Sequence, residues 1–309
     1  MGQREGNGSE WPFPTGECPA RCKRKRKQVD SGKVVGFYVV CWLAGSFKVA
    51  QPQGSELRYR AEQLNCARFL ETAESKILTQ SGGRGREQTA GRTGVWQFRA
   101  VPAERAVALE GWLDSLVLWR RSAETTIRPD TDGLIGGRYR GALSPRGAYA
   151  SRARPFIPDE VAEVAGMGSA LDDFFPPLPP GRLKPGQSWK DSLGVTIRRL
   201  PDSALSGVPL YRFALEQRQR ADRAEPQGDT VPVRLRQTSR EQGTFVWHPS
   251  LGLLRRDRVI LVETTVPPGR SVRQAVRSKI EQRITVERDL NVPPQMEGRC
   301  GATPSRKPG

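Results

Sequence analysis

The sequence predicts a mainly β, mostly antiparallel protein with one interior helix near residues 158–174. Three observations point there: apolar residues recurring at every second position, turn-forming clusters between the alternating runs, and a single helix-start signal at mid-chain. Val272, Gln274, Val276, Ser278, Ile280, Gln282, Ile284 and Val286 alternate with Arg273, Ala275, Arg277, Lys279, Glu281, Arg283, Thr285 and Glu287. The four-residue spacing of Val272, Val276, Ile280 and Ile284 also suits a helix, and β-branched content decides for a strand. Arg258 to Val266 reads as its partner, with Pro267-Pro268-Gly269 as the turn of a long hairpin. One face of that hairpin is apolar and the other charged, as in a sheet covered on one side.

In order along the chain, Leu57 to Phe69, Val95 to Ala100, Val107 to Leu113 and Leu116 to Trp119 read as strands of a first half, residues 55–155. Ser81-Gly82-Gly83-Arg84-Gly85, Pro102-Ala103-Glu104 and Asp114-Ser115 separate them. Residues 156–190 form a helix and Pro-rich connector. Pro158 with Asp159 and Glu160 marks the helix start, and Val161, Val164, Ala165 and Leu171 form its apolar stripe. Phe174-Phe175-Pro176-Pro177-Leu178-Pro179-Pro180 ends it, either as a stiff connector laid along the domain or as a polyproline ligand. In a second half, residues 191–290, Ser192 to Leu200, Pro209 to Gln219, Val231 to Gln237, Thr244 to Trp247 and Leu253 to Val266 read as strands. Tyr139 to Tyr149 and Phe245 to Leu254 share a strand, Pro, Gly, strand pattern, each expected as a hairpin near the end of a sheet. Residues 291–309 read as a disordered tail.

Residues 1–46 are expected to be a disordered prefix plus a secretory signal peptide. Lys23-Arg24-Lys25-Arg26-Lys27 and Lys33 precede an apolar run, Val34 to Phe47, with small residues at Ala44-Gly45-Ser46. As a helix that run measures roughly 21 Å, short of the ~30 Å hydrocarbon core. A buried strand over Val34 to Leu43 is the alternative. Cleavage after Ser46 would send the remainder to the periplasm, cell envelope or exterior, keeping Cys66 and Cys300 as one candidate disulfide.

The net charge of +17 invites polyanions, yet the cations are spread along the chain and are mostly Arg. Beyond the prefix, 36 of 42 basic residues are Arg, a mixture that also fits the composition of a GC-rich genome. Histidine-based catalysis is confined to His248, the single histidine, which sits in a turn and reads as exposed or capping. Asp130-Thr131-Asp132-Gly133 has the start of a calcium loop but Gly141 where such a loop needs Glu, so it reads as a plain turn. Asp172-Asp173 as an acid pair, Gly166-Met167-Gly168-Ser169-Ala170 as a nucleophile elbow and Cys18 with Cys22 as half a zinc site all lack their required context. No catalytic residue, metal site or cofactor is expected.

Leu178-Pro179-Pro180, then Leu183-Lys184-Pro185-Gly186-Gln187-Ser188-Trp189, alternating strands and the Trp247 to Gly252 turn resemble a group of uncharacterised exported bacterial β-rich proteins. These are similar to the open half-barrels of lipoprotein carriers. The resemblance spans about residues 176–290. It implies a curved antiparallel sheet or open half-barrel near a helix, and transfers no catalytic residue. The functional expectation is an exported, non-enzymatic binding or envelope-associated module holding an apolar or lipid-like ligand. Trp112, Trp119, Trp189, Trp247 and the apolar face of Val272 to Val286 are its expected lining. The alternative is polyanion binding (nucleic acid, anionic lipid or glycan) by the outward row Arg273, Arg277, Lys279 and Arg283.

Overall fold

A computed structural model describes residues 56–159, 161, 170–225, 233–268 and 274–291, with no side-chain account of 223–225 or 233–234. Alternation produces strands nearly everywhere in it. The first meander comprises β1 (Arg68–Ser81), β2 (Arg84–Pro102), β3 (Val107–Arg121), β4 (Thr126–Ile127), β5 (Tyr139–Leu143) and β6 (Tyr149–Ala153). The second comprises β7 (Ser188–Lys190), β8 (Thr196–Arg199), β9 (Ser203–Leu205), β10 (Val208–Glu225), β11 (Val233–His248), β12 (Gly252–Val266) and β13 (Val276–Arg288). One short helix, α1 (Ala61–Leu64), precedes them.

All strand pairs are antiparallel, and β1 pairs with β13 from Phe69↔Arg288 to Ser81↔Val276, joining the meanders into one open sheet. Its order is β6-β5-β3-β2-β1-β13-β12-β11-β10-β8-β7, with β4 on β3 and β9 on β10. The β1–β2 turn has two residues, Gly82 and Gly83, both at positive φ (56° and 75°). That is the hairpin geometry side chains resist and glycine accepts.

Several boundaries differ from expectation. Leu57 to Phe69 is not one strand: an extended entry leads into α1, and β1 starts only at Arg68. Asp114-Ser115 does not separate two strands. Val95 pairs with Ser115 and Trp96 with Leu113, so Asp114 is a bulge inside β3. The described part of the expected Val231 to Gln237 strand, from Val233, and Thr244 to Trp247 belong to one strand, β11, because exposed polar residues continue the ladder. Ser192 to Leu200 splits into a turn and β8. Of the helix near 158–174, Asp159 and Val161 are helical, residues 160 and 162–169 lie outside the described residues, and Ala170–Phe174 form turns. The β5–β6 hairpin does close one end of the sheet, whereas β11–β12 lies within it. Residues 1–55 with the expected signal peptide, residues 269–273 with Gly269 of the expected turn and Val272 and Arg273 of the expected strand, and the tail from 292 lie outside the described residues.

The core lies on one face of the sheet, under a strap formed by residues 170–180 and the entry segment 56–64. Phe174 packs edge-on against Phe69 at 5.6 Å and Phe98 at 5.3 Å, and Phe175 against Tyr59 at 5.4 Å. Full burial of such rings is worth about 1.5–3 kcal/mol each. The proline run lies along the β5–β6 turn. Tyr59 Oη donates to the Pro176 carbonyl at 3.0 Å, the Leu178 N–H to the Arg146 carbonyl at 2.9 Å, and the Arg146 guanidinium to the Pro179 and Pro180 carbonyls. Gly147 permits that approach: its φ is +95°, and a Cβ there would stand 2.5 Å from the Pro176 carbonyl oxygen.

Candidate binding cleft and buried arginine pair

Two hollows flank the strap. The larger, about 470 Å³, lies between the strap and the β7–β8–β10 end of the sheet. Phe175 and Leu178 of the strap face Trp189 on β7, Leu193 and Val195 on the β7–β8 turn, and Leu215 on β10. Asp191 shapes that turn, its Oδ1 accepting the N–H groups of Leu193 at 2.9 Å and Val195 at 2.7 Å. Val195 is thereby turned inward, while Leu193 remains 74% exposed at the rim. Arg146 and Gly147 of the β5–β6 turn also line this cleft, so both ends of the strand path contribute to it. Its polar lining includes Gln217, Gln219, Glu241 and Arg256.

The smaller hollow, about 190 Å³, sits between the strap and strands β1, β2, β12 and β13. Its walls are Phe174, Ile260, Ile284 and Val286, and its charged lining is Glu71, Arg92, Asp173, Arg256 and Arg258. Glu71 is buried and accepts from Arg92 Nη2 at 2.7 Å and from Trp96 Nε1 at 2.8 Å. Arg256 and Arg258 are two apart on β12, so both point to the covered face. Their Nη2 atoms donate to the two oxygens of Glu241 at 3.1 and 3.0 Å, and both Nη1 atoms donate to the Asp173 carbonyl. Burial pulls the Arg256 pKa down to about 10, with the adjacent Arg258 charge adding to the shift and Glu241 opposing it.

The four tryptophans do not converge. Trp189 lines the cleft, and Trp247 is buried in the core edge-on to Tyr59 at 5.0 Å. Trp112 and Trp119 lie on the opposite face. Trp112 Nε1 donates to Asp114 Oδ1 at 3.0 Å beneath the Arg138 guanidinium, and Trp119 covers Gly91. Val276, Ile280, Ile284 and Val286 share the covered face of β13, and Val272 lies outside the described residues. Arg277, Lys279 and Arg283 are exposed on the other face, where Glu281 pairs with Arg283 at 3.1 Å and Glu263 stands opposite Lys279. Arg273 and Cys300 lie outside the described residues, and Cys66 sits between α1 and β1. Asp130 closes a turn by accepting the Asp132 N–H at 2.9 Å, and Asp172 pairs with Arg154 at 3.2 Å.

Leu193, Val195, Leu215, Glu71, Glu241 and the arginine pair were not anticipated. One signal was there to read: Arg256 and Arg258 interrupt the otherwise apolar even-numbered row Leu254, Ile260 and Val262. Cations on a covered face demand a local counter-charge.

His248 caps the β11–β12 turn. Its Nδ1 accepts the N–H groups of Ser250 and Leu251, each at 3.1 Å. Protonating Nδ1 would break both bonds. Burial lowers its pKa below 6.5, and the Arg288 charge lowers it further. The unfolded chain therefore binds its proton first on acidification. The His248 contribution to stability is complete above pH 6.5 and is lost as pH falls from there toward the lower folded value. As the single histidine it gives one imidazole NMR titration, expected to have a midpoint below 6.5. In His248→Asn the stability slope across that window should flatten; an unchanged slope refutes the assignment.

The fold and cleft define a strand-rich protein with one open antiparallel sheet and a strap over its apolar face. No family model matches the chain, and no curated protein matches it. The resemblance to exported bacterial proteins thus finds no family behind it. Among solved structures the chain is similar to one described as lipid–protein interactions in lipovitellin, at 10% identity and a TM-score of 0.43. That likeness covers 73% of this chain and 25% of the other, so this chain spans about a quarter of that structure's length.

Proposed function

We propose that the chain is an exported, non-enzymatic binding protein of the periplasm or cell envelope that holds an apolar or lipid-like ligand in the 470 Å³ cleft. The observation that carries this reading is the cleft's apolar wall, drawn from two separate segments beside a polar and charged lining, with Leu193 unburied at the rim. Ligand sites of roughly 300–1,000 Å³ share that pattern. Export rests on the basic cluster and apolar run at residues 23–47. A Cys66–Cys300 cystine would accord with it. Peptide mapping under non-reducing conditions should recover the two cysteines as one linked pair.

Native mass spectrometry of the full chain is expected to show an adduct of lipid mass, or uptake of an added fatty alcohol. Leu193 is exposed, so Leu193→Asp should leave folding intact while weakening uptake by about tenfold or more. Bare mass under every condition removes the reading.

The exposure of Arg277, Lys279 and Arg283 on one face supports polyanion binding as a second reading. Its mark is affinity falling by about one log unit per log unit of salt for each phosphate neutralised. A flat salt response removes it.

A further inference from the structure

We infer that the smaller hollow is a binding site for a compact oxyanion, a carboxylate or phosphate group, held by Arg258 with Arg256. The hollow shares Arg256 and Asp173 with the larger cleft, whereas Arg258 lines the hollow alone. Among the described residues, Arg256 and Arg258 are two buried cations that share one carboxylate, the half-buried Glu241. The Asp173 carboxylate stands 3.8 Å from Arg258, but its side chain is 77% exposed and its charge is screened by water. The Asp173 carbonyl already accepts from both guanidinium groups, which occupies its two lone pairs. Glu71 is engaged by Arg92 and Trp96.

The two buried guanidinium groups therefore have one close carboxylate between them and a second, Asp173, that is largely in water, an arrangement that burial penalises and a further anion would relieve. A second observation points the same way. The Arg258 side chain is 7% exposed, yet its Nε–H has no acceptor. The edge formed by Nε and a terminal nitrogen of guanidinium is the fork that carboxylates and phosphates match with two parallel bonds. The hollow beside it, about 190 Å³, admits such a group with a few waters or the first carbons of a chain. Ile260, Ile284 and Val286 on its walls tolerate apolar substituents on the anion.

The test is calorimetric titration of the full chain with inorganic phosphate, decanoate and uncharged decanol, at low salt. Phosphate or decanoate is expected to bind. Arg258 lines the smaller hollow and not the cleft, so Arg258→Met should weaken anion binding at least about tenfold and leave decanol unchanged. Glu241→Gln removes the competing carboxylate and should tighten anion binding, an effect of opposite sign that a folding defect does not imitate. Should Arg258→Met fail to fold, Arg258→Lys, which keeps the charge and loses the fork, replaces it with the same expected direction. Phosphate binding identifies a free oxyanion as a sufficient ligand; decanoate binding without phosphate identifies an amphiphile headgroup. Anion binding without decanol binding leaves this site standing and removes the apolar-cleft reading. The inference is overturned if neither anion binds, or if both bind the Arg258 variant as tightly as the parent.

Discussion

Phe98→Ala is expected to lower the unfolding free energy by about 3–5 kcal/mol, the range for truncating a large aromatic in a packed interior. Phe98 is fully buried and lies at the junction of sheet and strap. It stacks on Trp96 at 6.2 Å and meets Phe69 at 5.8 Å, Phe174 at 5.3 Å and Phe175 at 5.7 Å. Across the ladder stands Gly111, where a Cβ would come within 2.8 Å of the Phe98 ring, so the neighbouring strand is already as close as it can be. Gly111 has no side chain with which to fill the gap left by alanine. Urea unfolding followed by Trp fluorescence measures the loss, and a change under about 1 kcal/mol, the size of a surface substitution, would show that Phe98 is not the keystone of the core.

Glu71→Ala is expected to cost a similar amount, about 3–5 kcal/mol, for an electrostatic reason. The carboxylate lies on the covered face of β1 in the row of Phe69 and Ala73, and is only 4% exposed. It accepts from Arg92 on the neighbouring strand and from the buried Trp96 indole. Alanine leaves the indole N–H without its acceptor and takes a buried counter-charge from Arg92. Glu71→Gln, which keeps an oxygen for Trp96, should recover part of the loss. A double-mutant cycle with Arg92→Met is expected to give a coupling of about 1–3 kcal/mol. Additive effects would show that the two side chains act separately.

Period-two patterning placed most strands because one face of the sheet is covered and the other is charged. The even row Val276, Ile280, Ile284 and Val286 lies on the face predicted for it. Strand length was harder to read. β2 begins at Arg84 and not Val95, because residues 84–89 are polar on both faces and their partners alone hold them in the ladder. The Asp114 bulge shifts the parity of β3 from Leu109 and Leu113 to Leu116 and Leu118, and a shift of parity looks like a break in a one-dimensional pattern. Of the four tryptophans expected as a lining from their place in or beside strands, Trp189 alone borders the cleft. Leu215 and Glu241 were not legible as cleft residues, since neither differs from its strand neighbours until the strap is laid across them. His248 as a turn cap followed from its place between Trp247 and Pro249.

The β1–β13 ladder has a consequence for biogenesis. Its partners are separated by about two hundred residues, and until β13 emerges from the ribosome both β1 and β12 present long unpaired backbones. A nascent chain stalled before Val276 would carry two such templates at once, each ready to recruit a strand from another molecule. Maturation of this protein accordingly turns on a late zippering event, and cells lacking a holdase should accumulate aggregates seeded by shortened chains.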